Sequence, residues 1–236
     1  MFRLISRRIF LALTCGAIAA PKFSLAANEV PTLLDHILLG CDDLDRGIAF
    51  VEERAGVRAT FGGVHPGRGT QNALLSLGER RYLEIIAPDP AQPDTPDTYG
   101  LRRLTEPHLV HWAAHPGDLD SFAKKLREAG VTFDGPTPGS RKRPDGRVLH
   151  WKTLNLADDR NGLLPFFIEW SPDSLHPSAD SPKGCSLLRF EAAAPDPENL
   201  AKQTNLLGLD LPIAKAHQPQ LRATIAGPKG QFIVTS

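Results

Sequence analysis

The chain carries no excess charge of either sign: 27 Lys and Arg stand against 27 Asp and Glu in 236 residues. Proteins that hold a nucleic-acid backbone usually show a basic excess, so nothing here suggests a polyanion partner and no nucleic acid is expected. Cysteine is scarce at three residues, and no Cys-x-x-Cys occurs, which argues against a thiolate metal site. The apolar run from Ile9 to Ala20 is too short to span a membrane as a mature helix. What is present is an ordinary globular balance, 41% apolar and 23% charged, enough for one large core or two modest ones.

The N-terminus reads as a separate, processed segment. Arg7 and Arg8 precede Ile9-Phe10-Leu11, the apolar run follows, and Ser24-Leu25-Ala26 offers a cleavage site. The adjacent arginines, and Lys22 after the apolar run, resemble a twin-arginine export signal. An ordinary secretory signal is the competing reading. A lipoprotein anchored through Cys15 fits poorly, because Ala12-Leu13-Thr14 is a weak lipobox. Removal of residues 1–26 takes four basic residues and no acids, leaving 23 against 27, a net charge of −4. The expectation is a soluble periplasmic or secreted protein with no membrane contact after cleavage. Cys41 and Cys185 remain; an exported protein can pair them, and the sequence does not decide whether these two meet.

The mature chain repeats itself. "LLDHILLGCDDLD" (33–45) and "HLVHWAAHPGDLD" (108–120) align so that His36 and His111 lie 75 residues apart, as do Asp43 and Asp118. In each copy a strand-like run leads into an amphipathic helix ended by glycine, Gly56 in the first and Gly130 in the second. A third unit, "SLLRFEAAA" then "DPENLAKQTNLLG", follows the same plan up to Gly208. Asp43, Asp118 and Asp196 are each placed to cap a helix start. After every helix come about three strand-like runs. Proline-rich segments at 88–107 and 171–182 connect the units outside the sheets. The expected class is α+β: tandem βαβββ modules over 27–175 forming a concave mixed sheet, with a third such half-module over 183–236. Each half supplies one wall of a shared cleft, the kind of place where small ligands bind.

Two residue pairs repeat with the scaffold. His36 and His111 sit in the first strands, and Glu84 and Glu169 sit among apolar neighbours in the last strands. A carboxylate in an apolar strand is costly without a partner. Two His and two Glu are good ligands for Zn, Ni, Co, Mn or Fe(II). Core histidines and cross-strand Glu–Arg pairs are the competing readings. The third unit has Arg189 in place of the histidine and no glutamate in "GQFIVTS", so it is expected to be structural, covering a sheet edge. The loop "GGVHPGRGTQN" offers His65 and Asn72 to the cleft, His65 as proton carrier or alternative ligand, unless it is a plain hairpin. "GSRKRPDGR" offers Arg141 and Arg143 to a substrate carboxylate or phosphate, unless it is a solvated basic loop.

The motifs "LLDHILLGCDDLDRG", "HPGRGTQNALLSLG", "YLEIIAPDP" and "GSRKRPDGR…FFIEW" resemble the glyoxalase-like domain group of the vicinal oxygen chelate superfamily over residues 33–171. That superfamily includes glyoxalase I, extradiol dioxygenases, epimerases and drug-binding resistance proteins. The resemblance implies one divalent metal ion held by His36, Glu84, His111 and Glu169. The expected activity is a metal-dependent lyase or isomerase acting on a small oxygen-chelating substrate. Glu169 or His65 would move the proton, with Asn72, Arg141 and Arg143 holding the substrate. A metal-free binding protein of the resistance type and an Fe(II) extradiol-type dioxygenase are the alternatives. The expected partner is a small molecule; pairing of two chains as a homodimer stays open.

Overall fold

The computed structural model describes residues 29–236; the expected leader lies outside them. The first module comprises β1 (Leu34–Gly40), α1 (Leu44–Ala55), β2 (Thr60–His65), β3 (Thr70–Ser76) and β4 (Tyr82–Pro88). The second comprises β5 (His108–Ala114), α2 (Leu119–Glu128), β6 (Phe133–Lys142), β7 (Val148–Leu156) and β8 (Phe166–Trp170). A short helix, α3 (Pro177–Asp180), leads to β9 (Ser186–Ala194), α4 (Pro197–Leu206), β10 (Ile213–Lys215), β11 (Gln220–Gly227) and β12 (Gly230–Thr235).

The three long helices begin at the expected aspartates. Asp43, Asp118 and Asp196 accept the backbone N–H of Arg46, Ser121 and Asn199 at 2.9, 2.7 and 3.0 Å. These bonds satisfy donors that the first helical turn leaves without an intrahelical partner. Gly56 closes α1 with φ of 79°, a left-handed conformation that glycine adopts without a Cβ penalty.

The two modules form one eight-stranded sheet in the order β2-β3-β4-β1-β5-β8-β7-β6. In each, the first strand runs parallel to the last, β1 with β4 and β5 with β8, and the modules join through antiparallel β1 and β5. The sheet curls until its two edges approach. A Cβ built on Gly63 of β2 would lie 2.7 Å from the Lys142 carbonyl oxygen of β6. The concave side of this curl is the cleft.

The third unit has the expected element order but a different sheet, β10-β9-β11-β12. Its first strand pairs with its third, so it is not a topological copy of the other two. It does not simply cover a sheet edge. Helix α1 packs on β3 and β4 on one side and on β11 and β12 on the other. The Trp112 ring of β5 meets Phe190 of β9 at 5.2 Å, and residues of all three units belong to one buried apolar cluster. A Cβ on Gly227 would lie 2.4 Å from the Ala55 carbonyl oxygen, so only glycine allows the β11–β12 hairpin to approach α1 this closely. Cys41 and Cys185 are both buried and unpaired.

Candidate active site

The cleft has a volume of about 330 Å³. β1 and β4 supply its catalytic-type groups. His36 is only 2% exposed, and Glu84, one strand over, is 7% exposed. A regular strand would point Asp35 and His36 to opposite faces. The β1–β5 pairing slips between Leu34 and His36, and the two side chains meet at 2.7 Å between Asp35 Oδ1 and His36 Nδ1. Asp35 also receives Trp170 Nε1–H at 3.2 Å and lies 3.2 Å from His176 Nε2. Burial alone would raise the Asp35 carboxyl, but hydrogen bonds from His176 and His36 hold it well below the usual carboxylate range. An ionised carboxylate can only accept, so His36 Nδ1 carries hydrogen and the Nε2 edge faces the cleft.

His36 Nε2 is buried without a hydrogen-bond partner and lies 3.4 Å from Glu84 Oε2. Burial opposes ionisation of Glu84 as well. The nearby His65, His36 and Arg141, with a 2.6 Å bond from Asn72 Nδ2 to Oε1, nevertheless lower its pKa. His65 bonds Thr70 Oγ1 through Nδ1 at 2.8 Å. Burial pushes the His65 imidazole down to about 4, which keeps it neutral at ordinary pH. His65 lines the cleft, whereas Asn72 stands behind Glu84 and orients it. The left-handed glycines of this loop, Gly67 and Gly69, turn the chain so that β2 and β3 return side by side.

The expected four-residue metal set does not assemble. In β8 alternate residues share a face, and Phe166, Ile168 and Trp170 take the cleft side. Glu169 therefore points outward, where Oε2 accepts the Leu119 backbone N–H at 2.8 Å and helps start α2. It is a helix-capping carboxylate, not a cleft base or ligand. His111 also fails to reach the cleft. Its ring contacts Phe166 and Tyr99 at 5.5 and 5.6 Å, and both of these line the cleft while His111 does not. Its nitrogens are engaged, Nδ1 accepting the Trp112 N–H at 2.9 Å and Nε2 lying 3.1 Å from Asp159 Oδ2. His36 and His65 address different oxygens of Glu84, at 3.4 and 3.7 Å, and the Arg141 guanidinium nearby repels a cation. Among the described residues, no group of three or more His, Cys, Asp or Glu is placed to hold a metal ion.

The basic segment divides in two. Residues 133–142 form a long strand rather than a loop, which carries Arg141 into the cleft wall at 4% exposure. Arg143 lies beyond the strand and pairs with Asp180 of α3 at 2.8 Å, so it fastens the β6–β7 turn and does not line the cleft. Sequence reasoning missed Asp35, His176 and Tyr99. Asp35 stood beside His36 in the motif, but strand alternation assigned it to the other face. His176 and Tyr99 sit in the two proline-rich connections, which have no periodicity to mark an inward residue.

The curled eight-stranded sheet built from paired modules, with its cleft on the concave side, is the arrangement of the vicinal oxygen chelate type. The chain belongs to the Glyoxalase-like domain family, which matches residues 34–208. No curated protein matches it. Among solved structures, a hypothetical protein from Staphylococcus aureus is similar at a TM-score of 0.63 and 18% identity, over 79% of this chain and 87% of that one, a likeness of fold. A methylmalonyl-CoA epimerase from Mycobacterium tuberculosis aligns at a TM-score of 0.46 and 24% identity, over 64% of this chain and 95% of that one. A hypothetical protein from Bacillus halodurans aligns at 0.44 and 16%, over 60% and 95%.

Proposed function

We propose that the protein is a small-molecule lyase or isomerase that moves a proton on a carbon adjacent to a carbonyl group bound in the cleft. One observation carries this reading: the cleft-facing Nε2 of His36 is buried and unpartnered, while Asp35 holds the opposite nitrogen. An imidazole fixed in this way is prepared to accept a proton at Nε2. The substrate C–H bond breaks, its proton passes to Nε2, and the electron pair is delocalised onto the carbonyl oxygen as an enolate. The resulting imidazolium lies between two carboxylates, Asp35 and Glu84. Return of the proton to the same or a neighbouring carbon completes an isomerisation. No step is assigned to a metal ion, because the donors among the described residues do not form a site for one.

The test is proton exchange. Mature protein in D2O, offered a panel of small 2-oxo and 2-hydroxy carbonyl compounds, is expected to exchange C–H for C–D in at least one. His36→Gln should slow that exchange by about 100-fold or more. Absence of exchange across the panel, or exchange unaffected by His36→Gln, would refute the proposal. The aromatic wall of Tyr82, Trp151, Phe166 and Trp170 favours a second reading, a binding protein without catalysis. Tight binding with no exchange is its signature.

We propose also that residues 1–26 export the protein by the twin-arginine route, on the strength of Arg7, Arg8 and Lys22. Replacing Arg7 and Arg8 by lysine together should trap the precursor in the cytoplasm. Unchanged export of the double variant would count against this route.

A further inference from the structure

The cleft holds a cation with no directly bonded partner among the described residues. Arg141 is 4% exposed, and its Nε is buried without a hydrogen-bond partner. Among the described residues, no side chain forms an ion pair or a side-chain hydrogen bond with its guanidinium; Glu84 acts on it only at longer range. Buried arginines are normally paired, because a desolvated charge with an unmet donor is costly. The other charged side chains on the wall are Arg68 at the rim and Glu84, so cations outnumber anions there before any ligand arrives.

The surface beside Arg141 is equally specific. Alternate residues of β6 share a face, which places Gly139 next to Arg141 along the wall. A Cβ on Gly139 would lie 2.5 Å from Trp151 Nε1, so the absence of a side chain lets the indole lie flush over the strand. Trp170 follows at 5.5 Å from Trp151. The wall therefore offers a planar cation fork and, beside it, an extended aromatic surface. An indole and a guanidinium side by side match a planar molecule that ends in a carboxylate. A cleft of about 330 Å³ takes a ring and a short side chain and little more.

We infer that the ligand of this cleft is a small carboxylic acid with a planar, unsaturated body, its carboxylate paired with Arg141 and its body against Trp151. This rests on the reading of the cleft as the substrate site and names the substrate class. The two ideas fail separately. Carboxylate selectivity without proton exchange removes the catalytic step and keeps the anion site. Exchange on neutral carbonyl compounds with no carboxylate preference does the reverse.

The experiment follows tryptophan fluorescence of the intact mature protein during titration with phenylacetate, its neutral analogue phenylacetamide, and phenyl phosphate. Phenylacetate should bind about tenfold to hundredfold more tightly than the amide, the range expected of hydrogen bonds to a charged group. Arg141→Gln should erase that ratio and leave amide affinity unchanged, and Trp151→Ala should weaken both ligands. Arg141→Gln should also keep or raise the melting temperature of the ligand-free protein, because it removes an unpaired buried charge. A merely structural arginine would lower it. Equal affinity for acid and amide, binding of neither, a preference for phenyl phosphate, or an acid-to-amide ratio that survives Arg141→Gln overturns the inference. The wild-type ratio alone decides the matter if the variant does not fold.

Discussion

Replacing Asp35 by asparagine keeps the shape of the side chain and removes its charge. The carboxylate faces three potential donors, on His36, His176 and Trp170, within a region where it is only 2% exposed. Hydrogen bonds to a buried charge are worth about 1.5–3 kcal/mol each, against about 0.5–1.5 kcal/mol for neutral ones. An amide has one accepting atom and presents N–H groups where an acceptor is needed. His36 can answer by moving its hydrogen from Nδ1 to Nε2, the nitrogen that faces the cleft. We therefore expect Asp35→Asn to cost about 2–3 kcal/mol in urea unfolding at pH 7 and Asp35→Ala about 3–5 kcal/mol. The asparagine variant should also lose proton exchange as severely as His36→Gln, and nitrogen NMR should show the His36 hydrogen on Nε2. The pH dependence adds a second reading of the same group. The Asp35 pKa is lowered from 3.8, so its stabilisation is complete above that value and is lost as pH falls below it. Asp35→Asn should lack this part of the acid transition. An asparagine variant within about 0.5 kcal/mol of the parent, with exchange intact, would refute the argument that Asp35 organises the site.

Glu169→Ala should cost about 1 kcal/mol through loss of its bond to Leu119 N–H and leave cleft chemistry unchanged; loss of exchange in a folded variant would restore it to the active site. Treatment with a strong chelator should leave exchange and ligand affinity unaltered, and a stoichiometric metal removed together with activity would overturn the donor-set argument. Trp112→Ala should destabilise by about 3–5 kcal/mol, because its indole fills the junction with Phe190 and donates to the Leu163 carbonyl at 3.1 Å. His65 binds its proton less readily in the folded chain than in the unfolded one, 6.5 falling to about 4, so stability should rise with pH across that interval. His65→Asn should flatten this slope, and an unchanged slope would show that His65 is not desolvated.

Local signals carried far in this chain. The aspartate caps and glycine stops of the three long helices were visible because each is a short-range pattern of side chain against backbone. The repeated "LLDHILLG" and "LVHWAAH" phrases announced the paired modules for the same reason. Glu84 was legible because a lone carboxylate in an apolar strand requires a partner, and the structure supplies Asn72, His36 and His65. Repetition misled where it was extended from scaffold to chemistry. Glu84 and Glu169 occupy matching strands, yet one faces the cleft and the other caps a helix.

By itself, then, the sequence determined the modules, their order, the helix limits and the places of His36 and Glu84 on the cleft, all consequences of periodicity and near-neighbour chemistry. Only the tertiary structure decided the rest. A slip in strand pairing brought Asp35 to His36, the phase of β8 turned Glu169 outward, and ten residues of extended chain carried Arg141 into the cleft wall while Arg143 was left outside it, against Asp180. Each of these depends on register between strands distant in sequence, and a shift of one residue exchanges the faces of a strand.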